Sequence, residues 1–231
     1  MKSRTETIAI NLRDRILRGQ IKAGTHLQEI PVSQELGVSR TPVRAAFAIL
    51  SSEGLLEYAP KRGYTVRSFT LVQVVEAHEV RANLEGMACR LAAERRLGAN
   101  ALATLERILA IGDAILERGR FQEEDREAWA EMNDQFHGAI IDLAGNRVLA
   151  ELIDRTCRIP LGSHRVLHWY KPEGIKASHD LHHRIFHYIR AGNVVNAEAV
   201  MREHILLGID QIRLRAESTD APAVNVASQF D

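Results

Sequence analysis

Residues 36–66 read LGVSRTPVRAAFAILSSEGLLEYAPKRGYTV, and this stretch decides the fold of the first third of the chain. Gly37 stops a preceding helical segment, and Ser39 stands where a helix needs an N-cap oxygen. Val43, Ala46, Phe47 and Leu50 then recur at helical spacing over residues 40–53, and Gly54 ends the run. The runs LLEY and GYTV alternate as strands do and are separated by APKR, which predicts a β-hairpin. Upstream, Ile8, Leu12, Ile16 and Leu17 line one face of a helix over 5–18, ended by Gly19. The loop QIKAGTHL turns at Gly24. A short helix over 29–36 follows, with Pro31 in its first turn, where few N–H bonds are lost. Three helices with a tight turn between the second and third, then a hairpin, predict a winged helix-turn-helix.

Such a motif reads DNA with the N-terminal turns of its second helix. Arg40, Thr41 and Arg44 fall on those turns, away from the apolar stripe. Arginine grips guanine O6 and N7 with two parallel bonds. Ser39 and Thr41 suit phosphates, together with the free amides of the helix start. Lys61 and Arg62, just before Gly63, place positive charge at the hairpin tip. A solvated face would account for two arginines, but not for the turn, cap and wing around them. Charge distribution agrees. Residues 1–70 carry eleven Lys/Arg against six Asp/Glu, and the remainder carries nineteen against twenty-four, within a net charge of zero. A basic head on an acidic body suits a polyanion-binding end.

From Thr70, a potential cap, the pattern turns helical and stays so. Helices are predicted at 71–97, 100–118, 124–144, 146–157, 174–191 and 194–215, with 159–170 unassigned. The first presents an apolar side that includes Val74, His78, Ala82, Ala88 and Ala92. The fold class is therefore mainly α: a winged helix-turn-helix over 1–68 and an all-α six- or seven-helix bundle over 72–215. Residues 216–231, small and polar without period, are expected to be a disordered tail. Cys89 and Cys157 sit in apolar helical patterns and read as free thiols. No apolar run approaches the roughly 18 residues that span a bilayer, and the charged N-terminus has no signal-peptide stretch. A cytoplasmic protein with no membrane contact is expected.

Nine of the ten histidines follow residue 70. His137, His182 and His204 lie on three different predicted helices, and imidazoles converging from separate helices are how bundles build metal sites. Asn133 stands one turn before His137 and points the same way. Spacing alone leaves each histidine equally explicable as a packing residue. His183, about 100° from His182 around the helix, and His187, about 140° away, remain competitors.

The stretch 5–68 resembles the GntR family of bacterial regulators, whose pattern Gly-Val-Ser-Arg-x-Pro-Val-Arg, then Leu-x-x-x-Gly-Leu, then an Arg-Gly wing, it matches closely. The resemblance implies operator contacts by Arg40, Arg44, their neighbouring hydroxyls and Gly63. Ile30 departs from it, since several relatives carry a basic residue there. From Val72 to about Gly208 the chain resembles the FCD ligand-binding domain of the FadR branch. The motifs are VRANLEGMACRLAA at 80–93, NDQFHGAI at 133–140, HHRIFHYIRAGN at 182–193 and NAEAVMREHI at 196–205.

This second resemblance implies one divalent metal per chain, zinc or nickel, held by His137, His182 and His204 with Asn133 in a slot where Asp is common. The family register selects His182 over its neighbours. Asp134, one residue past that slot, would need a distorted rotamer to serve. A carboxylate effector would fill the open coordination positions, with Arg81 pairing its charge; an i,i+4 pair of Arg81 with Glu85 is the equal alternative. Sugar acids, hydroxy acids, dicarboxylates and fatty acyl thioesters serve the family. The thioester binders lack the triad, so a small organic acid is expected. The whole is expected to be a homodimeric regulator of double-stranded operator DNA, a repressor relieved by ligand. Two other functions compete. A metal-sensing regulator would respond to the ion itself. A metal-dependent hydrolase would need a general base such as that of HExxH, which is absent, and would leave the basic head without a role.

Overall fold

The computed structural model describes residues 3–17, 20–119, 121–122, 124–157, 172–216 and 226–227. Helix α1 (Arg4–Leu17) opens on a reciprocal cap: the Ser3 N–H donates to Glu6 Oε2 at 2.6 Å and the Glu6 N–H donates to Ser3 Oγ at 3.2 Å. Helices α2 (Glu29–Glu35) and α3 (Arg40–Ser52) follow within a residue or so of their predicted limits. Gly37, at φ 63°, takes the left-handed turn between them that a side chain would resist. Leu12, Val43, Ala46, Phe47 and Leu50 bury completely to join α1 to α3, and Arg13 reinforces that seam with an ion pair to Glu53 at 2.5 Å.

The hairpin is β2 (Leu56–Ala59) paired antiparallel with β3 (Gly63–Val66). Lys61 at φ 68° and Gly63 at φ 82° turn the chain between them. Three two-residue strands were not predicted, and one of them extends the hairpin. Within the loop QIKAGTHL, β1 (His26–Leu27) pairs with the free edge of β3, giving the order β1-β3-β2. A two-residue strand has no period to read; only the partner edge creates it.

The chain divides into two compact units: the first holds the residues up to Val74 together with Val226–Ala227 near the C-terminus, and the second begins at Val75. At their junction Thr70 caps as expected. Its N–H donates to Gln73 Oε1 at 3.0 Å and its Oγ1 accepts from the Gln73 N–H at 3.2 Å. Helix α4 (Leu71–Glu94) stops three residues short of its predicted end, because Arg96 rather than Gly98 takes the left-handed conformation, at φ 46°. Then come α5 (Ala99–Leu116), α6 (Asp125–Ala144), α7 (Arg147–Cys157), α8 (Pro172–Ala191) and α9 (Val194–Ala216). Gly192 and Asn193 form so short a link that α8 and α9 fold back on each other, with Asn193 Oδ1 accepting the Asn196 N–H at 3.2 Å. Trp129, Phe136, Leu105, Ile153, Ile175 and Ile185 centre the core of this unit.

Cys89 and Cys157 are both free; the first is buried and the second half-buried. Residues 159–170 lie outside the described residues. So does most of the 216–231 tail, of which Val226–Ala227 forms β5 and pairs in parallel with β4 (Phe69–Thr70). No helix among the described residues is long and apolar enough to cross a membrane.

Candidate functional site

In the N-terminal unit, Ser39, Arg40, Thr41 and Arg44 are exposed on the first turns of α3, and Lys61 and Arg62 are exposed at the hairpin turn before Gly63. Ser39 occupies the N-cap position with extended backbone, but its hydroxyl makes no capping hydrogen bond. The cap predicted from its side chain is therefore not made. The opening amides of α3 are left for another acceptor. Sequence reasoning missed Glu29. From the start of α2 its carboxylate accepts from Arg44 Nε at 2.6 Å and Nη2 at 2.9 Å, and from Arg40 Nη2 at 3.0 Å. The Arg44 hydrogen bond, with Arg40 adding to it, lowers the Glu29 carboxyl to about 2. Both arginines keep more than half of their side-chain surface in water. One carboxylate thus holds both guanidinium groups on one side of the helix start.

In the helical unit, α6, α8 and α9 bring His137, His182 and His204 together, all buried. Their Nε2 atoms converge. That of His204 lies 3.1 Å from His137 Nε2 and 3.2 Å from His182 Nε2. An imidazole nitrogen has a single in-plane function, either an N–H or a lone pair. His204 Nε2 therefore hydrogen-bonds at most one of its two neighbours, whatever the protonation. Burial first, and then the neighbouring imidazoles, hold His182 and His204 well below the usual histidine range, so both are neutral at pH 7. His137 Nδ1 lies 2.5 Å from Glu85 Oε2. A carboxylate only accepts, so that nitrogen carries the proton and Nε2 faces the other two rings. Three such nitrogens suit a shared cation: metal–nitrogen bonds of about 2.1 Å set neighbouring donors about 3.0 Å apart at right angles and about 3.4 Å apart in a tetrahedron.

Behind the triad, His78, Arg81 and Glu85 form a buried polar stripe on α4, at i, i+3 and i+7. Arg81 donates from Nε to Glu85 Oε1 at 2.6 Å, the i,i+4 pair, and its positive charge also helps depress His204. The helical repeat puts His78 on the apolar side of α4, where the structure buries it as a polar residue. Polar residues recurring on the core face of α4 were the signal that could have found this stripe. The competitors separate cleanly. His183 turns to Asp113, with Nε2 2.8 Å from Oδ1, and His187 is exposed against Tyr188. Asn133 is buried one turn before His137, while Asp134 is only half-buried.

Comparison with known proteins agrees with this division. Residues 4–66 match the model of the bacterial regulatory proteins of the gntR family, and residues 76–207 match that of the FCD domain. The chain is 30% identical to the HTH-type transcriptional regulator LutR of Bacillus subtilis, over 82% of this chain and 92% of that one. It is 24% identical to the HTH-type transcriptional repressor GlaR of Escherichia coli, over 87% and 92%. The structure of E. coli McbR superposes with a TM-score of 0.73 at 25% identity, covering 94% of this chain and 100% of that one. With the winged helix-turn-helix matched by one model and the helical unit by the other, the chain belongs to the GntR family of transcriptional regulators and carries an FCD domain.

Proposed function

We propose that the chain is a homodimeric repressor of the FadR type that leaves its operator when a small organic acid binds beside a divalent metal, zinc or nickel, in the FCD domain. The observation that carries this reading is the convergence of three buried histidine Nε2 atoms, of which that of His204 can hydrogen-bond only one of the other two. His137, His182 and His204 would hold the ion, with Asn133 as a fourth, uncharged oxygen ligand. The ion would polarise and anchor an acidic effector when bound. Glu85 keeps the proton on His137 Nδ1 and so aims Nε2 inward. Arg81, buried beside the triad, supplies the positive charge for the effector's carboxylate. An effector that regulates must bind the DNA-bound and free arrangements with different affinity. The repressor name carried by GlaR supports the sign.

The test is metal content of untagged protein, wild type against His182→Ala, by elemental analysis. About one divalent ion assigned to the triad is expected in the wild type and its loss in the variant. A triad that stays empty after reloading would end the reading. Screening carboxylates for thermal stabilisation of the loaded protein then separates effector from metal sensor: a pure metal sensor responds to the ion and to none of the acids.

In the N-terminal unit, Arg40, Arg44, Ser39 and Thr41 would read the operator, with Lys61, Arg62 and Gly63 at its backbone, and Glu29 would aim the two arginines. Glu29→Gln is expected to raise affinity for random-sequence duplex, because an anion leaves the DNA-facing side. The ratio of operator to random affinity should fall several-fold. Fluorescence anisotropy on both duplexes across a salt series checks this, and an unchanged ratio would remove Glu29 from recognition.

A further inference from the structure

We propose that Asp113, His179 and His183 form a second divalent-cation site, between α5 and α8 and distinct from the buried triad. His179 and His183 stand four residues apart on α8, so their imidazoles leave the same helix face one turn apart. Asp113 reaches them from α5. Its Oδ1 lies 3.0 Å from His179 Nε2 and 2.8 Å from His183 Nε2, and all three donor atoms fall within 4.8 Å of one another. Two imidazole nitrogens and one carboxylate oxygen are the donor set of zinc and its first-row neighbours; calcium and magnesium take oxygen ligands.

The approach of the two helices is built for these rings. A Cβ on Gly112 would collide with His179 Cε1, so α5 presents Asp113 to His179 only because the preceding residue has no side chain. His179 is nearly sealed, its ring edge-on to Trp129 at 5.2 Å between centroids. Asp113 and His183, by contrast, keep 43% and 44% of their side-chain surface in water. One side of the cluster is therefore open to an entering ion and to the waters that would complete its coordination. Without an ion, Asp113 Oδ1 accepts from both Nε2–H groups. A bound dication takes the place of those two protons: each ring carries its proton on Nδ1 and turns the Nε2 lone pair to the metal. The half-exposed position leaves a bound ion in contact with bulk water, whereas the three triad histidines are all buried. The two sites share no ligand, so either can fail alone.

The full chain, stripped of metal and titrated with Zn2+ against a chromophoric chelator, tests this as wild type, His183→Asn, Asp113→Asn and His204→Asn. Wild type is expected to take two equivalents, and each of H183N and D113N one, with the helical circular dichroism signal kept because both replaced groups are half-exposed. H204N reports on the triad. Two equivalents persisting in both H183N and D113N would overturn the site. So would a single wild-type equivalent that disappears in H204N and survives in H183N. A single equivalent that survives H204N and disappears in H183N would uphold this site and remove the triad.

Discussion

Glu85→Ala is expected to destabilise the FCD domain by about 3–5 kcal/mol and to weaken the proposed metal binding at the triad by about 10–100-fold. Glu85 is 1% exposed and stands between the Arg81 guanidinium at 2.6 Å and His137 Nδ1 at 2.5 Å. Alanine removes the anion but leaves the arginine's charge in the interior, the situation in which breaking a buried pair costs most. It also frees His137 to change tautomer or ring orientation, which misdirects Nε2. Glu85→Gln keeps the volume and one acceptor oxygen, so it should retain more of the stability while still losing metal affinity. Trp129 is fully buried in the core of this domain, so tryptophan fluorescence in urea reports its unfolding. Melts are run in chelator, to keep metal linkage out of the stability comparison. A loss below about 1 kcal/mol in the alanine variant would mean that Arg81 is held well enough by its remaining contacts.

Arg40→Ala and Arg44→Ala are each expected to cost about 1–3 kcal/mol of operator binding, roughly five- to 150-fold, if each guanidinium grips a guanine edge. The operator is one selected by wild-type protein from a random duplex pool, and affinities are measured at fixed salt. Discrimination at one base position should relax in each variant. Lys61→Ala, at the position proposed for a backbone contact, should instead weaken operator and random duplex alike and reduce the salt slope by about one. Because Glu29 holds both arginines, the double variant is expected to be non-additive. Undiminished operator affinity in both single variants would place base reading elsewhere on the unit.

The limits of most helices, the hairpin, the Thr70 cap and the exposed tip of α3 were legible in the chain. Each depends on residues a few positions apart: an apolar repeat, a glycine stop, a hydroxyl before a helix. The helix-turn-helix in particular is a local object. What tertiary structure alone decided are contacts between residues distant in sequence. His26–Leu27 becomes a strand only because β3 offers a free edge. Glu29 meets Arg40 and Arg44 across 11 and 15 residues through the turn at Gly37. Periodicity placed His182, His183 and His187 at different angles on one helix, but which angle faces inward depends on the neighbouring helices. His204, 67 residues from His137 and 22 from His182, selects His182 for the interior, and Asp113 draws His183 to the opposite seam. Local sequence determines where each helix lies along the chain. The direction of its polar side chains is set by which other surfaces it buries, and that is a property of the packed fold.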